Sequence, residues 1–288
     1  MNPRYARVAG ATVPGAVHLR AGRLNQDAVR WLPHVGEGKR VVMAVSDGHG
    51  NPASPRSGLG AALAVEIATD VLWQLTHPIS PAVLAATVTS MVTRWTSQVL
   101  VHLARYPLTA GELGRPSDGD LDRPERSTVV YGSTLIFAVV SVHELVLGQL
   151  GDGDVVVVDD TGQAARPLPA DERLMAHMTT SLSDDDAVGN FRTTIVDAGR
   201  SRLVLLATDG YANSFRNDDA FLQVGPDLLR MADAEGISSI RASLPGWLAE
   251  TTHEGAGDDI GVTVAVLDPP VPAGTSGHPG DEVGRPLR

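Results

Sequence analysis

Two apolar runs in this sequence end on Asp-Gly, and a third begins directly after a pair of acids. They are VVMAVSDGHGN at 41–51, LVLLATDG at 203–210 and GAGDDIGVTVAVL at 255–267. Apolar runs of this length, rich in β-branched residues, predict buried strands. Asp-Gly alone is an ordinary hairpin signal, but a hairpin turn would more naturally follow an alternating run. The pattern therefore predicts carboxylates gathered at one edge of a sheet.

Acids that converge at the end of a buried strand repel one another unless a multivalent cation neutralises them. The candidates are Asp47, Asp209 and Asp258, with the backbone carbonyl of Gly48 as a further oxygen ligand. The chain has no Cys and no paired-His spacing such as H-E-x-x-H, which disfavours zinc. Oxygen ligands favour Mg²⁺ or Mn²⁺. Asp152, in the cluster GDGD, is a secondary candidate ligand, although GDGD is also an ordinary turn sequence.

Two helices are predicted after the first Asp-Gly. From Arg56 onward, apolar residues recur at every fourth position and predict one buried helix face. These residues are Leu59, Leu63, Ile67, Val71 and Leu75. A second helix is predicted over 80–103, because Ser80 suits the N-cap and Pro81 suits the first helical position.

The second half of the chain predicts mainly strands. Short apolar runs over 133–163 are separated by the turn-like clusters SVHE, GDGD and DDTG, which is typical of an antiparallel meander. Residues 190–210 predict a hairpin that turns at DAGR. One or two helices broken near Gly236 are predicted over 226–253, and a last strand over 261–267.

Antiparallel runs alternating with helical pairs favour an α+β fold over a doubly wound parallel sheet. Two sheets with helices outside would accommodate every predicted element. Residues 109–127 are polar and rich in Gly, Pro and Asp, so they predict a surface loop. One domain is expected over 1–267, followed by a flexible Pro- and Gly-rich tail over 268–288.

Composition narrows the function classes. The 288 residues are 43% hydrophobic and 20% charged, which is ordinary for a globular protein. The net charge of −11 opposes binding to the phosphates of nucleic acid. No apolar run reaches the ~20 residues of a membrane span, and nothing at the N-terminus resembles a signal peptide. We therefore expect a cytoplasmic protein with neither nucleic-acid nor membrane partners.

An ordered set of short motifs resembles the metal-dependent protein serine/threonine phosphatases of the protein phosphatase 2C-like family. The motifs are RLNQDA (23–28), VSDGHGN (45–51), GST (132–134), GQLGDGD (148–154), LATDG (206–210) and GDDIGVTV (257–264). They follow the family's order across about residues 10 to 267. The branch most similar is the bacterial one with Gln before the first Asp, and TTSLSDDDAVGNF (179–191) resembles its segment near the flap.

The resemblance implies a four-layer α-β-β-α sandwich with a two-metal site, loaded with Mn²⁺ or Mg²⁺, at one end of the paired sheets. Asp47 would bridge both metals, the Gly48 carbonyl would hold the first, and Asp209 with Asp258 would hold the second. Asp152 would help to bind a third, weaker metal.

The resemblance also implies the reaction. Asp27 would hydrogen-bond metal-bound water, and a hydroxide shared by the two ions would attack phosphorus in line. His49 would be the general acid that protonates the departing seryl or threonyl oxygen. A loop histidine that only hydrogen-bonds a ligand is the alternative for His49.

The sequence departs from the family pattern in the region expected to grip phosphate. Gly22 stands where many members have an Arg, and Arg20 and Arg23 lie on either side of it. Either guanidinium could supply a bidentate phosphate contact, or both could be solvated surface charges. Gln26 replaces a frequent Glu, which removes a charge that would strengthen metal binding.

The activity expected from these observations is hydrolysis of phosphoserine and phosphothreonine in proteins, by a monomer that opposes a partner kinase. Two other function classes remain open. One is a binding or regulatory module that keeps the fold with weak or lost catalysis. The other is a hydrolase of small phosphoesters, because the loops around 160–195 and 109–127 would set specificity.

Overall fold

The structure is a computed structural model that describes residues 4–112, 128–171, 173 and 179–269. Its strands are β1 Ala6–Val13, β2 Ala28–Leu32, β3 Glu37–Gly38, β4 Arg40–Ser46, β5 Leu135–Ser141, β6 Glu144–Leu150, β7 Asp154–Asp159, β8 Ala164–Ala165, β9 Arg192–Asp197, β10 Ser201–Ala207 and β11 Ile260–Leu267. Its helices are α1 Ala16–Arg20, α2 Ser57–Trp73, α3 Pro81–Arg105, α4 Ala187–Asn190, α5 Asp209–Ala212, α6 Asp218–Leu222, α7 Val224–Glu235 and α8 Ile237–Glu254.

The strands form two antiparallel sheets. The first sheet has the order β3-β1-β11-β10-β7-β8, and the second has the order β2-β4-β5-β6-β9. Strand β4 explains why the runs are wholly apolar. Its Val41, Met43 and Val45 join the core between the sheets, whereas Val42 and Ala44 join the core beneath α2 and α3. A strand that is buried on both faces has no polar side to alternate with.

The helices cover the outer faces of both sheets. Helices α2 and α3 pack on the second sheet, while α7 and α8 pack on the first sheet over a separate apolar cluster. The predicted α+β class, with two antiparallel sheets flanked by helices, is confirmed. The start of α3 is also as predicted, because the Ser80 side chain accepts a hydrogen bond of 3.2 Å from the Val83 amide. Gly236, with φ +84°, separates α7 from α8 as expected.

The predicted face of α2 is corrected. Its fully buried positions include Gly60, Ala61, Ala64, Ala68 and Leu72. The apolar residues at every fourth position are only partly buried, on the flank of the same core. Small residues face inward because α2 lies close to the neighbouring backbone, so that a Cβ at Gly60 would lie 1.8 Å from the Tyr131 carbonyl oxygen.

The predicted antiparallel turns at SVHE and DDTG are confirmed, because β5 pairs with β6 and β7 pairs with β8. The predicted meander turn at GDGD and the predicted hairpin over 190–210 are wrong. The chain leaves the second sheet after β6 and enters the first at β7, crossing at Gly151–Gly153. It crosses again between β9 and β10, at residues 198–200. Strands buried on both faces look alike in either sheet, so a turn within one sheet and a crossing between two have the same pattern.

Strands β1 and β2 had no sequence prediction, and β1 completes the first sheet by pairing with β11 along its whole length. Most of the predicted 109–127 loop and nearly all of the predicted 268–288 tail lie outside the described residues. Within the described ranges, no helix is both long enough and apolar enough to span a membrane.

Candidate active site

The first Asp-Gly lies where β4 runs past the end of its regular pairing. Thr134 holds this turn in two places, because its Oγ1 accepts from the Asp47 amide at 3.0 Å and its own amide donates to the Asp47 carbonyl at 2.9 Å. Gly48 pairs with Ser133, and the His49 amide donates to the Gly132 carbonyl at 3.2 Å. The GST motif therefore fixes the backbone of the first acidic turn.

The second Asp-Gly follows β10, where Asp209 begins the short helix α5. Thr208, one residue earlier, makes hydrogen bonds to the segment of Gly261 and to the segment of Asp27. Its amide donates to the Gly261 carbonyl at 2.9 Å, and its Oγ1 accepts from the Gly261 amide at 2.8 Å. The same hydroxyl donates to Oδ2 of Asp27 at 2.7 Å.

The two acids before β11 have different surroundings. Asp259 is buried, and its carboxylate accepts from the amides of Gly15 at 2.6 Å and Gln26 at 2.8 Å. It therefore anchors the N-terminal segment that carries α1 and the Asn-Gln-Asp motif. The Asp258 side chain is half exposed, with Oδ1 accepting from the Asp259 amide at 2.8 Å.

These segments enclose a pocket of about 250 Å³ at one end of the paired sheets. The residues that the sequence predicted and that line it are Asp47, Gly48, His49, Asp152, Asp209 and Asp258. Asp27 does not line the pocket. No Arg or Lys among the described residues lines it either, so the pocket is strongly acidic.

Burial and mutual repulsion dominate the electrostatics of the acids. Burial raises the pKa of Asp47 well above its usual range, and repulsion from Asp27 and Asp209 raises it further. Burial also raises the pKa of Asp209, against a hydrogen bond in which Asp47 is the donor. The pKa of Asp27 is raised well above its usual range chiefly by burial, in spite of the Thr208 hydrogen bond. Buried carboxyl groups that repel one another form a site where a cation is a favourable counter-charge.

His49 lies on the same wall, with its ring against Gly132, where a Cβ would come within 2.6 Å of the His49 Cδ2. Burial lowers the pKa of His49, while the charges of Asp152 and Asp184 oppose this shift. Asp184 belongs to the predicted flap-like segment and accepts a hydrogen bond of 2.8 Å from the Ser181 amide. The carboxylates of Asp152 and Asp184 favour the protonated imidazole, which is the form that can give a proton to a bound ligand.

The ligand chemistry fits a hard divalent cation, although the structure does not present a closed cage. No group of three or more His, Asp and Glu side chains within the described ranges is arranged to hold one metal ion. Mg²⁺ and similar ions keep several waters and bind through one or two carboxylates, so Asp47 and Asp209, which line the same pocket, with the Gly48 carbonyl suit them. The assignment of individual ligands stays a prediction.

Arg20 and Arg23 lie outside the pocket. Both are exposed, and neither side chain makes a hydrogen bond or an ion pair with a described residue. Gly22 between them has φ +67° and open space around it. The structure gives no support to either Arg as a phosphate contact.

Sequence reasoning missed His18, Asn51, Thr134 and Thr179, which also line the pocket. Asp259, the second acid of the pair before β11, also lines the pocket and anchors α1. The motifs GST and GDD drew attention to Thr134 and Asp259, but nothing in the sequence singled out His18.

The protein phosphatase 2C family model matches residues 14–249, and the chain belongs to this family. The match ends before Asp258 and strand β11. No curated protein matches the sequence.

Solved structures with the same fold share little sequence with this chain. The catalytic domain of the serine/threonine protein phosphatase PstP, in complex with two manganese ions, is 17% identical, with 92% of this chain and 99% of that chain covered and a TM-score of 0.55. PppA, a regulatory component of T6SS in Pseudomonas aeruginosa, is 18% identical, with 92% and 98% covered and a TM-score of 0.57. Stp1 from Staphylococcus aureus, a serine/threonine phosphatase, is 16% identical, with 91% and 94% covered and a TM-score of 0.56.

Proposed function

We propose that this chain is a protein serine/threonine phosphatase that requires two divalent cations, Mn²⁺ or Mg²⁺. Its substrates would be phosphoserine and phosphothreonine in proteins, including proteins phosphorylated by a partner kinase. The observation that carries the proposal is the convergence of Asp47, Asp209 and Asp258, from three distant parts of the sequence, on one pocket without Arg or Lys in its described lining.

Family membership supports the reaction class, and the solved relative with two manganese ions supports the choice of cation. In this chain Asp47, the Gly48 carbonyl, Asp209 and Asp258 would hold the ions, with Asp152 available to a third. When bound, the ions would supply positive charge for the phosphoryl oxygens and lower the pKa of a water between them.

The protein's own residues would position the carboxylates and supply the proton. Thr134 and Thr208 fix the backbone at the ends of β4 and β10, so the carboxylates are held in place before substrate arrives. The His49 amide donates to the Gly132 carbonyl at 3.2 Å, and this residue lines the pocket. From there the imidazole would give a proton to the leaving seryl or threonyl oxygen.

The test is hydrolysis of p-nitrophenyl phosphate and of a phosphothreonine peptide, with Mn²⁺, Mg²⁺ or excess EDTA, in wild type and Asp47→Asn. We expect both substrates to be hydrolysed only with a divalent ion. We expect Asp47→Asn to lower kcat/KM at least about 100-fold, because it removes the carboxylate shared by the ions.

Three outcomes would count against the proposal in different ways. Hydrolysis that survives EDTA, or that is unaffected by Asp47→Asn, would refute the metal-dependent reaction. Binding of Mn²⁺ without turnover of either substrate would favour a regulatory module with a phosphatase fold. Turnover of p-nitrophenyl phosphate alone, without any of several phosphopeptides, would favour a hydrolase of small phosphoesters.

A further inference from the structure

His18 lines the acidic pocket although it belongs to none of the sequence motifs. It lies on α1, a helix of five residues, and its side chain is 15% exposed. The two ring nitrogens face two different acids. Nε2 is 3.7 Å from Oδ1 of Asp258, and Nδ1 is 3.0 Å from Oδ1 of Asp259.

The position of the ring is fixed by backbone contacts between α1 and the loop before β11. The Val17 amide donates to the Gly257 carbonyl at 2.9 Å, and the Gly15 amide donates to the Asp259 carboxylate at 2.6 Å. Gly15 approaches this loop so closely that a Cβ there would lie 2.5 Å from the Asp258 carbonyl carbon. The imidazole and the two acids therefore belong to one locally rigid unit.

The carboxylates of Asp258 and Asp259 differ in exposure and in hydrogen bonding. Asp259 is 4% exposed on its side chain and has two backbone amides as donors. Asp258 is 51% exposed on its side chain, and its hydrogen bond comes from the adjacent Asp259 amide. A half-exposed carboxylate can leave its pocket-facing rotamer at little cost, and a neighbouring imidazole restricts that freedom.

We propose that His18 is a positioning residue that holds the Asp258 carboxylate in the acidic pocket, so that this carboxylate is ready to ligate a divalent cation. The inference rests on the proposed function, because it assumes a cation site at Asp258. Nε2 carries the effect by facing Oδ1 of Asp258, which leaves Oδ2 for the ion. Nδ1 lies beside Asp259 without a hydrogen bond to any described residue, so the backbone contacts of α1 set the position of the ring.

The experiment is calorimetric titration of Mn²⁺ into wild type and into the variants His18→Ala, His18→Gln and His18→Asn, each first stripped with EDTA and dialysed. Partners of a metal ligand change metal affinity by about 10- to 100-fold when removed. We expect His18→Ala to weaken Mn²⁺ binding about 10-fold. The Gln amide nitrogen reaches the Nε2 position and should restore most of the affinity, whereas the Asn nitrogen reaches only the Nδ1 position and should not.

Kinetics separate this role from a direct substrate contact. At saturating Mn²⁺, we expect His18→Ala to have a KM for the phosphothreonine peptide within about twofold of wild type, because His18 acts through the ligand. The matched control is His34→Ala, which removes an exposed imidazole that does not line the pocket and should change neither value. If His18→Ala fails to fold, the difference in Mn²⁺ affinity between the Gln and Asn variants still tests whether a nitrogen at the Nε2 position supports Asp258.

Unchanged Mn²⁺ affinity in His18→Ala, with a raised KM, would overturn the proposal and make the imidazole a substrate contact. Equal losses in the Ala, Gln and Asn variants would also overturn it, because they would mean that the ring only fills space. Wild-type protein that binds no Mn²⁺ would refute the proposed function itself, and this inference with it. Wild type that binds Mn²⁺ while the variants bind equally well would refute the inference alone.

Discussion

The variant Asp47→Asn should make the metal-free protein more stable while removing its activity. The Asn side-chain amide can donate a hydrogen bond to Asp209, the carboxyl group that interacts with Asp47. What the substitution removes is one ionisable acid from a buried cluster. Most substitutions at buried polar positions are destabilising, so an increase in stability would be diagnostic.

The expected gain in the free energy of unfolding follows from the repulsion between the buried carboxylates. Two unit charges about 4 Å apart repel by about 4 kcal/mol at an effective dielectric constant of about 20, and protonation of Asp47 relieves part of this repulsion. We therefore expect the free energy of unfolding to rise by about 1 to 3 kcal/mol near pH 7.5, which corresponds to about 2 to 12 °C in Tm for a domain of this size. The assay is thermal unfolding in EDTA.

The pH dependence has a definite sign. The folded pKa of Asp47 is raised by burial and then by Asp27 and Asp209, whereas the unfolded value lies near 3.8. Below the unfolded pKa the group is protonated in both states and has no effect on stability. As pH rises above that value, only the unfolded state loses its proton, so stability falls. The advantage of Asp47→Asn should therefore be absent near pH 3 and should grow toward neutral pH.

Mn²⁺ should reverse the order of stability. A ligand at 100 times its Kd stabilises the folded state by about 2.7 kcal/mol, so wild type should gain about 5 to 10 °C in Tm and Asp47→Asn much less. Asp171→Asn is the matched control. The hydrogen bond with Arg173 at 2.8 Å lowers the pKa of Asp171, so losing this acid should reduce stability by up to about 1 kcal/mol. An Asp47→Asn protein that is less stable than wild type in EDTA would refute the view that the acids repel one another in the folded state.

Two substitutions of glycine, the first with a control, test the packing beneath α2 and beside His49. Gly60→Ala should cost about 3 kcal/mol or more in urea unfolding, because its Cβ would lie 1.8 Å from the Tyr131 carbonyl oxygen, whereas Gly246→Ala, an exposed helical position with open space, should gain about 0.5 to 1 kcal/mol. Equal effects would mean that α2 is not held as closely as described. Gly132→Ala should displace the His49 ring and lower kcat about 10- to 100-fold while the Kd for Mn²⁺ stays within about twofold, as measured by steady-state kinetics and calorimetry. Unchanged kcat would count against a role for His49 in the reaction.

Local chemistry explains which predictions from the sequence succeeded. β4 was predicted because a strand between two apolar layers must be apolar throughout, and α3 was predicted because Ser80 and Pro81 form a helix start from their own side chains. Both signals are contained in a few consecutive residues. The same holds for the break at Gly236, where φ +84° suits glycine.

The failures share a different cause. The turns at 151–153 and 198–200 join strands of different sheets, and the pattern of a doubly buried strand does not tell which sheet it joins. The inward face of α2 was assigned to its largest residues, whereas close contact with neighbouring backbone selects Gly60 and Ala61 instead. In each case the decisive neighbour lies far away in the sequence.

The sequence by itself determined that acids end the apolar strands, that no thiolate is available, and hence that any bound cation must find oxygen or imidazole ligands. Only the tertiary structure decided which side chains share the pocket. It brought in His18 and Asp259, left out Arg20 and Arg23, and kept Asp27 off the pocket wall. The physical reason is that the pocket is assembled by strand pairing and backbone hydrogen bonds between segments more than 200 residues apart, such as that from Gly15 to Asp259.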